Sequence, residues 1–195
     1  MPNALQGIGA KAVLVSVLLF FAAFVNPASS IEGLYDLEIS KSKRVLRLKV
    51  GSKVKKEYPV ALGRGGRGDK RQMGDRKTPI GIYRIVRFNP DSPFYYFMQL
   101  NYPNVKDAFY GFKDHLISLW DFNRIIDALG KREIPPQDTP LGGAIGIHGV
   151  GPETADRRDI HAYFNWTQGC IAMKNADIAE LKNYVGIGTK VVINE

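Results

Sequence analysis

Cysteine is nearly absent from this chain: its 195 residues contain one, Cys170, together with three histidines. A single thiol cannot form an internal disulfide, which excludes a disulfide-stapled scaffold. One cysteine and three scattered histidines also lack the ligand spacing of a zinc site or a related metal site. We therefore expect neither a metal nor a cofactor.

The chain also lacks internal repeats, low-complexity segments and any collagen-like or coiled-coil pattern. Its long apolar run, at 12–25, is shorter than the roughly 20 residues that cross a bilayer. Lys11 precedes this run, and a small-residue, turn-prone stretch follows it at 26–30. This layout predicts a secretory signal over residues 1–30, with a retained membrane anchor as the alternative.

Export makes the lone Cys170 informative, because structural cysteines in oxidising compartments normally come in pairs. One interpretation is a small buried hydrophobic residue, and the other is a reactive thiol.

After removal of the signal no membrane span is expected to remain, and we expect a single domain over 34–194 in the periplasm or cell envelope.

Hydrophobic alternation and turn residues predict strands over 35–39, 44–50, 54–62, 82–88, 144–148 and 189–194. The first three are expected to form an antiparallel meander. Helices are predicted over 115–129, ending at Gly130, and over 175–184, capped by Asn175. The remaining stretches, including 89–114 and 149–167, are predicted as loops. The expected fold class is α+β and mostly β.

The glycine directly before Cys170 allows a tight turn that exposes the thiol and points successive N–H groups at one spot. Such a turn suits a nucleophile with an oxyanion hole. A reactive cysteine also needs a basic neighbour. His148 ends an apolar strand before Gly149 and is the first candidate, followed by His161 and then His115.

Three motifs resemble the L,D-transpeptidase catalytic domain, also called the YkuD domain. They are Ile-His-Gly at 147–149, Thr-Gln-Gly-Cys-Ile at 167–171 and the strand entry Thr-Pro-Ile-Gly at 78–81. The resemblance covers roughly residues 34–194. It implies a β-sheet-rich fold and a cysteine–histidine pair that acts on peptidoglycan stem peptides.

Carried onto this chain, the resemblance implies that Cys170 is the nucleophile and His148 the base. The Gly149 carbonyl would orient His148. The oxyanion would be held by backbone N–H groups near Gln168, Gly169 and Cys170, in the turn that Thr167 begins.

Two positions depart from the pattern of many family members. Gln168 stands where they carry histidine, and Ala172 stands where they carry arginine. The loss of an arginine that pairs with a substrate carboxylate leaves transfer and hydrolysis as alternatives. A third alternative is a wall-binding module that keeps the fold without catalysis. The long interval between His148 and Cys170 predicts a lid or rim formed by residues 151–165.

Basic side chains are concentrated in one short segment and contribute to a net charge of +8. They are Arg64, Arg67, Lys70, Arg71, Arg76 and Lys77. For an exported protein, this segment indicates attraction to anionic wall polymers rather than to nucleic acid. The alternative is a solvated loop.

Overall fold

The fold was analysed in a computed structural model that describes residues 34–195. The predicted export signal at 1–30 lies outside these residues. Between residues 34 and 195, no helix has the length and apolar character needed to cross a membrane.

Eight strands form one sheet in the order β3-β2-β1-β8-β4-β5-β6-β7. Their bounds are β1 Asp36–Ser40, β2 Val45–Val50, β3 Lys53–Pro59, β4 Gly81–Asn89, β5 Phe97–Leu100, β6 Gly146–His148, β7 Ile171–Ala172 and β8 Lys190–Asn194. Two neighbouring pairs are parallel, β1 with β8 and β6 with β7. The predicted mostly β, α+β class is confirmed.

Strands β1, β2 and β3 form the predicted antiparallel meander. Leu46 and Leu48 of β2 point into the core, whereas Arg47 and Lys49 lie on the other face with Glu38 of β1. This alternation follows from the period of two in a strand. It leaves one face of the meander apolar and the other lined with ion pairs.

Four helices accompany the sheet: α1 Val105–Lys113, α2 Leu119–Gly130, α3 Ala155–Tyr163 and α4 Asn175–Leu181. The prediction of loops over 89–114 and 149–167 was wrong. The first range contains β5 and α1, and the second contains α3. Asn104 and Asp107 form a capping box that starts α1, and Thr154 caps α3. For α1, both the capping box and the apolar residues at 105, 108, 109 and 112 were readable signals. Few apolar residues follow the α3 cap at helical spacing.

One predicted helix start and one predicted cap also need correction. Helix α2 begins at Leu119 rather than at His115, because Ser118 and Asp121 form a capping box there. Helix α4 begins at Asn175, but the Asn175 side chain does not cap it. Instead, the Asn175 amide bonds to both the N–H and the carbonyl of Gly151.

The sheet curls until its two edge strands approach one another. Ala61, just after β3, exchanges two backbone hydrogen bonds with Ala172 of β7, at 2.8 and 3.0 Å. The main core lies inside this curl, and Ile178 and Leu181 of α4 are fully buried in it. The exposed edge that an open sheet would present is thereby reduced.

Helices α1 and α2 form a hairpin with a smaller core of its own, built on Ala108, Ile117, Ile125 and Leu141. The hairpin and the outer face of β4 border a groove of about 1340 Å³. Neither Cys170 nor His148 lines this groove. The groove is therefore separate from the candidate site described next.

Candidate active site

Cys170 and His148 are brought together by the parallel pair β6–β7. In its register, Ile147 lies opposite Ile171 and His148 opposite Ala172. Cys170 directly precedes β7, so it lies two residues from Ala172. Because side chains two residues apart in an extended chain share a face, the register predicts that Cys170 and His148 lie on one face of the pair.

The turn that presents Cys170 is held by the Thr167 side chain. Its hydroxyl donates to the Cys170 carbonyl at 2.7 Å and accepts from the Gly169 N–H at 3.1 Å. Gly169 has φ +138°, and a Cβ there would lie 2.8 Å from the Lys77 carbonyl oxygen. Only glycine fits this backbone conformation and this close approach.

The thiol of Cys170 is half-buried, and its resting form is neutral. The thiol donates to the Ala144 carbonyl at 3.3 Å, and Ala144 itself has a positive φ of 53°. Burial raises the pKa of the Cys170 thiol to about 11, although the Gly146 N–H and the positive charge of Lys70 act in the opposite direction. The site therefore holds a thiol that needs a base before it can attack.

His148 has the properties of such a base. His148 is 3% exposed, and burial lowers its pKa, so the imidazole is neutral at pH 7. Nδ1 lies 2.6 Å from the Gly149 carbonyl oxygen. Because a carbonyl can only accept, Nδ1 carries the proton and Nε2 keeps a free lone pair.

Gly149 is tightly enclosed as well as bonded to His148. A Cβ at Gly149 would lie 2.5 Å from Oδ1 of Asn175 and 2.7 Å from the Phe94 carbonyl oxygen. The Gly149 N–H donates to the Tyr96 carbonyl at 3.2 Å. The peptide that orients His148 is thus fixed on both sides by the surrounding chain.

The two departures from the family pattern lie in different surroundings. The Gln168 side chain is exposed at the turn. Ala172 is fully buried and pairs with Ala61. Its methyl group offers no charge to a substrate carboxylate.

The other two histidines are placed differently from each other. His115 is exposed in a turn before α2, with φ +56°. His161 is 3% exposed in α3, and burial together with the positive charge of Arg44 lowers its pKa to about 4. The segment 151–165, predicted as a lid or rim, contains α3 and brings His161 close to the site.

The basic segment is only partly solvated. Lys70 is buried and forms an ion pair with Asp75 at 3.0 Å, and Arg67 pairs with Glu195. Arg64 and Arg76 are exposed, and their backbones adjoin the Cys170 turn: the Arg64 N–H donates to the Thr167 carbonyl, and the Gly65 N–H to the Arg76 carbonyl. The segment is therefore a wall of the site as well as a charged surface.

Sequence reasoning missed several residues that shape the site. Ala144 accepts from the thiol, Asn175 holds the segment after Gly149, and Phe94 and Trp166 pack against the His148 ring. Trp166 was visible beside the Thr-Gln-Gly-Cys motif, but no local signal marked the others. Within 34–195, no group of three or more His, Cys, Asp or Glu side chains is placed to bind a metal.

Residues 35–193 match the family model of the L,D-transpeptidase catalytic domain, YkuD. The chain belongs to this family. A segment of 83 residues is 32% identical to YafK of Escherichia coli K12, whose name assigns it to the L,D-transpeptidases; this segment covers 40% of the present chain and 34% of YafK. The chain thus spans about a third of that relative.

The fold also resembles that of the helical cell shape determining protein Pgp2 from Campylobacter jejuni. The two share 23% sequence identity with a TM-score of 0.52, over 83% of the present chain and 48% of Pgp2. At this identity the likeness shows a shared fold alone. The family model, which covers nearly all of the described residues, supports the membership.

Proposed function

We propose that this protein is an exported cysteine acyltransferase that acts on peptidoglycan stem peptides in the periplasm or cell envelope. The observation that carries the proposal is the β6–β7 register, which supports a position for Cys170 on the same face as His148, whose Nδ1 is bonded to Gly149. This leaves Nε2 as the basic nitrogen of the pair. Family membership and the YafK likeness support the substrate class.

In the first step, His148 Nε2 takes the proton of the Cys170 thiol as sulfur attacks the carbonyl of a diaminopimelate-type residue. The C–N bond to the following D-amino acid breaks, and His148 returns the proton to the leaving amine. An acyl-enzyme remains on Cys170. A neutral thiol with a raised pKa suits this order, because the thiolate forms only as the bond is made.

The tetrahedral oxyanion needs N–H donors near Cys170. The Gly169 N–H is already bonded to Thr167, whereas the N–H groups of Gln168 and Cys170 have no partner among the described residues. We assign the oxyanion role to these two groups. Thr167 then acts as the residue that holds the turn in shape.

In the second step an amine from another stem peptide takes the acyl group, with His148 as its base. Water in place of the amine would give hydrolysis.

The exposed arginines near the turn, Arg64 and Arg76, suit attraction to anionic wall polymers. A salt-dependent loss of binding to such a polymer would support this attraction.

The decisive experiment incubates the purified protein with tetrapeptide muropeptides and identifies the products by mass spectrometry. Cross-linked dimers support transfer, and tripeptide alone supports hydrolysis. Cys170→Ala and His148→Ala should both abolish the products. His115→Asn is the matched control, because His115 is exposed and asparagine tolerates its positive φ. Unchanged products from Cys170→Ala would refute the catalytic proposal.

A carbapenem provides a second readout through the mass of the intact protein. We expect a covalent adduct on the wild-type chain and none on Cys170→Ala. His148→Ala should acylate much more slowly, while His161→Ala should have a milder effect. Equal losses in the two histidine variants would contradict the assignment of His148 as the base.

A further inference from the structure

The His148 imidazole is enclosed by three aromatic rings. Phe94 lies with its centroid 4.6 Å from the imidazole, Phe97 is stacked at 6.2 Å, and Trp166 meets it edge-on at 5.8 Å. Phe94 and Phe97 come from the chain around β5. Trp166 comes from the segment that carries Cys170, so it links the position of the base to that of the nucleophile.

Trp166 has a polar anchor on its other side. Its indole N–H points to Nδ1 of His161 at 3.5 Å, a long hydrogen bond. His161 is 3% exposed, and its Nε2 has no partner among residues 34–195. The mechanism proposed above gives this buried histidine no role.

His161 stays neutral, which keeps Nδ1 able to accept from Trp166. Burial, the largest effect, and the positive charges of Arg44 and Lys174 together lower its pKa to about 4, while Glu153 acts in the opposite direction. Protonation of Nδ1 would replace an acceptor with a second donor facing the indole N–H.

The end of α3 that carries His161 is itself fixed by Arg44. This guanidinium donates to the carbonyls of His161, Ala162, Tyr163 and Phe164 at 3.0–3.3 Å. A cation that satisfies the last carbonyls of a helix stabilises that end. A continuous set of contacts therefore runs from Arg44 through His161 and Trp166 to His148.

We propose that Trp166 is a positioning residue for His148, and that His161 holds Trp166 in place. The Trp166 edge limits rotation of the imidazole and excludes water from it, so the ring stays neutral and oriented for the thiol of Cys170. The inference rests on the proposed function for its catalytic consequence. Its physical part, the environment of His148, is measurable without any substrate.

The first test measures the pKa of His148 by NMR in the full chain with labelled histidine. His115→Asn and His161→Asn assign the three histidine signals. Trp166→Ala admits water to the ring and should raise the pKa of His148 measurably toward its ordinary value of 6.5. Trp166→Phe, which keeps a ring but loses the N–H, should give a smaller rise.

Tyr163→Ala is the matched control, because this ring belongs to the same helix but is 73% exposed. It should leave the pKa of His148 unchanged. An unchanged pKa in Trp166→Ala, with the near-UV circular dichroism of a folded protein, would overturn the proposal. An equal rise in Tyr163→Ala would overturn it as well, because the effect would then belong to α3 in general.

The second test concerns His161. His161→Asn keeps an acceptor near the position of Nδ1, and His161→Leu removes it. We expect His161→Leu to raise the pKa of His148 as much as Trp166→Phe does. His161→Asn should keep the wild-type pKa of His148. Identical values in both variants would show that His161 acts only through packing.

The turnover assay separates this inference from the proposed function. With muropeptides, Trp166→Ala should lower kcat about tenfold and leave KM within about twofold, because a displaced base slows chemistry rather than binding. If wild type itself forms no product while the pKa shifts appear, the proposed function fails and the positioning of His148 stands. If wild type turns over and Trp166→Ala matches it in kcat and in the pKa of His148, the positioning proposal fails.

Discussion

The reactive thiol is protected by its own surroundings at the scale of single residues. The Ala144 carbonyl accepts a hydrogen bond from the thiol, and burial keeps the pKa of Cys170 at about 11. In an oxidising compartment a neutral thiol reacts slowly with oxidants, because the thiolate is the reactive form. The same burial lowers the pKa of His148 and keeps it ready to accept a proton.

The raised pKa of Cys170 predicts the pH dependence of its alkylation. The rate of reaction of Cys170 with iodoacetamide should rise with pH and continue rising beyond pH 9, because the thiolate fraction increases up to a pKa of about 11. Glutathione with the same reagent is the control and should level off earlier. A plateau near pH 8 for the protein would show that the thiol is not buried as described.

The pH dependence of catalysis follows from His148. A base must be unprotonated, so activity should fall as the pH decreases through a pKa below 6.5. The acidic limb of kcat/KM measured on muropeptides should therefore lie below pH 6.5. An acidic limb above pH 7 would mean that His148 is exposed to water or stabilised as a cation.

Gly169 gives a prediction about the turn. Gly169→Ala should destabilise the protein by about 1–3 kcal/mol and abolish acylation, because φ +138° and the Lys77 carbonyl exclude a Cβ. Gly130→Ala at the end of α2 is the control, since a Cβ there meets nothing within 4 Å. Thermal unfolding and carbapenem adduct formation measure the two effects. A fully active Gly169→Ala variant would contradict this account.

At the scale of elements, α3 depends on a contact that is distant in sequence. Arg44 lies in the β1–β2 turn and holds the carbonyl end of α3. Arg44→Met should reduce stability by about 1–2 kcal/mol and increase amide exchange in α3. Lys43→Met removes the same charge from an exposed neighbour and should change neither. Equal amide exchange of α3 in both variants would show that the Arg44 hydrogen bonds do not stabilise this helix.

The loop that carries the basic segment is organised by one carboxylate. Asp75 accepts from the N–H groups of Arg71, Gln72 and Lys77 and from the Lys70 ammonium. Burial opposes the charge of Asp75, but these donors prevail, and its pKa lies below the usual 3.8. The stability that Asp75 contributes is therefore present above pH 3.8 and is lost as the pH falls through the lowered pKa.

Asp75→Asn should lower the free energy of unfolding by about 1–3 kcal/mol at pH 7, because an amide cannot accept all of these bonds. Urea unfolding at pH 7 and at pH 3 measures the loss, which should shrink at the lower pH. Asp138→Asn is the control, since the Asp138 side chain is 71% exposed. A loss that does not depend on pH would contradict the role given to the carboxylate.

At the scale of the whole molecule, two hydrophobic clusters are joined by polar contacts. The Tyr83 hydroxyl in β4 donates to Asp107 of α1 at 2.9 Å, and the Lys106 ammonium binds Asp69 and the Ile80 carbonyl. These bonds lie at the interface between the curled sheet and the α1–α2 hairpin. We infer that both clusters unfold together.

Native-state hydrogen exchange tests this cooperativity. The amides of Ile125 in α2 and Val191 in β8, both fully buried, should exchange with the same opening free energy. Asp107→Asn weakens the link and should lower the value for Ile125 more than that for Val191. A lower value for Ile125 in the wild-type chain would show that the hairpin opens on its own.

The sequence by itself determined the pattern of most strands and pointed to the two side chains proposed to react. Strand alternation and turn residues suffice for β1, β2, β4 and β8, since these signals are local. Cys170 and His148 were identified by type, by neighbouring glycines and by family motifs. Chemistry that depends on residue type can be predicted directly from a sequence.

Only the tertiary structure decided what surrounds this pair. Trp166 contacts His148 and His161, Arg44 reaches α3 from the opposite part of the chain, and Asn175 binds Gly151 instead of capping its helix. Such contacts join residues far apart in sequence, and each depends on the curl of the sheet and on burial. A local sequence pattern predicts neither the curl of the sheet nor the burial of a side chain. The protonation states of Cys170 and His148 therefore follow only from the tertiary structure.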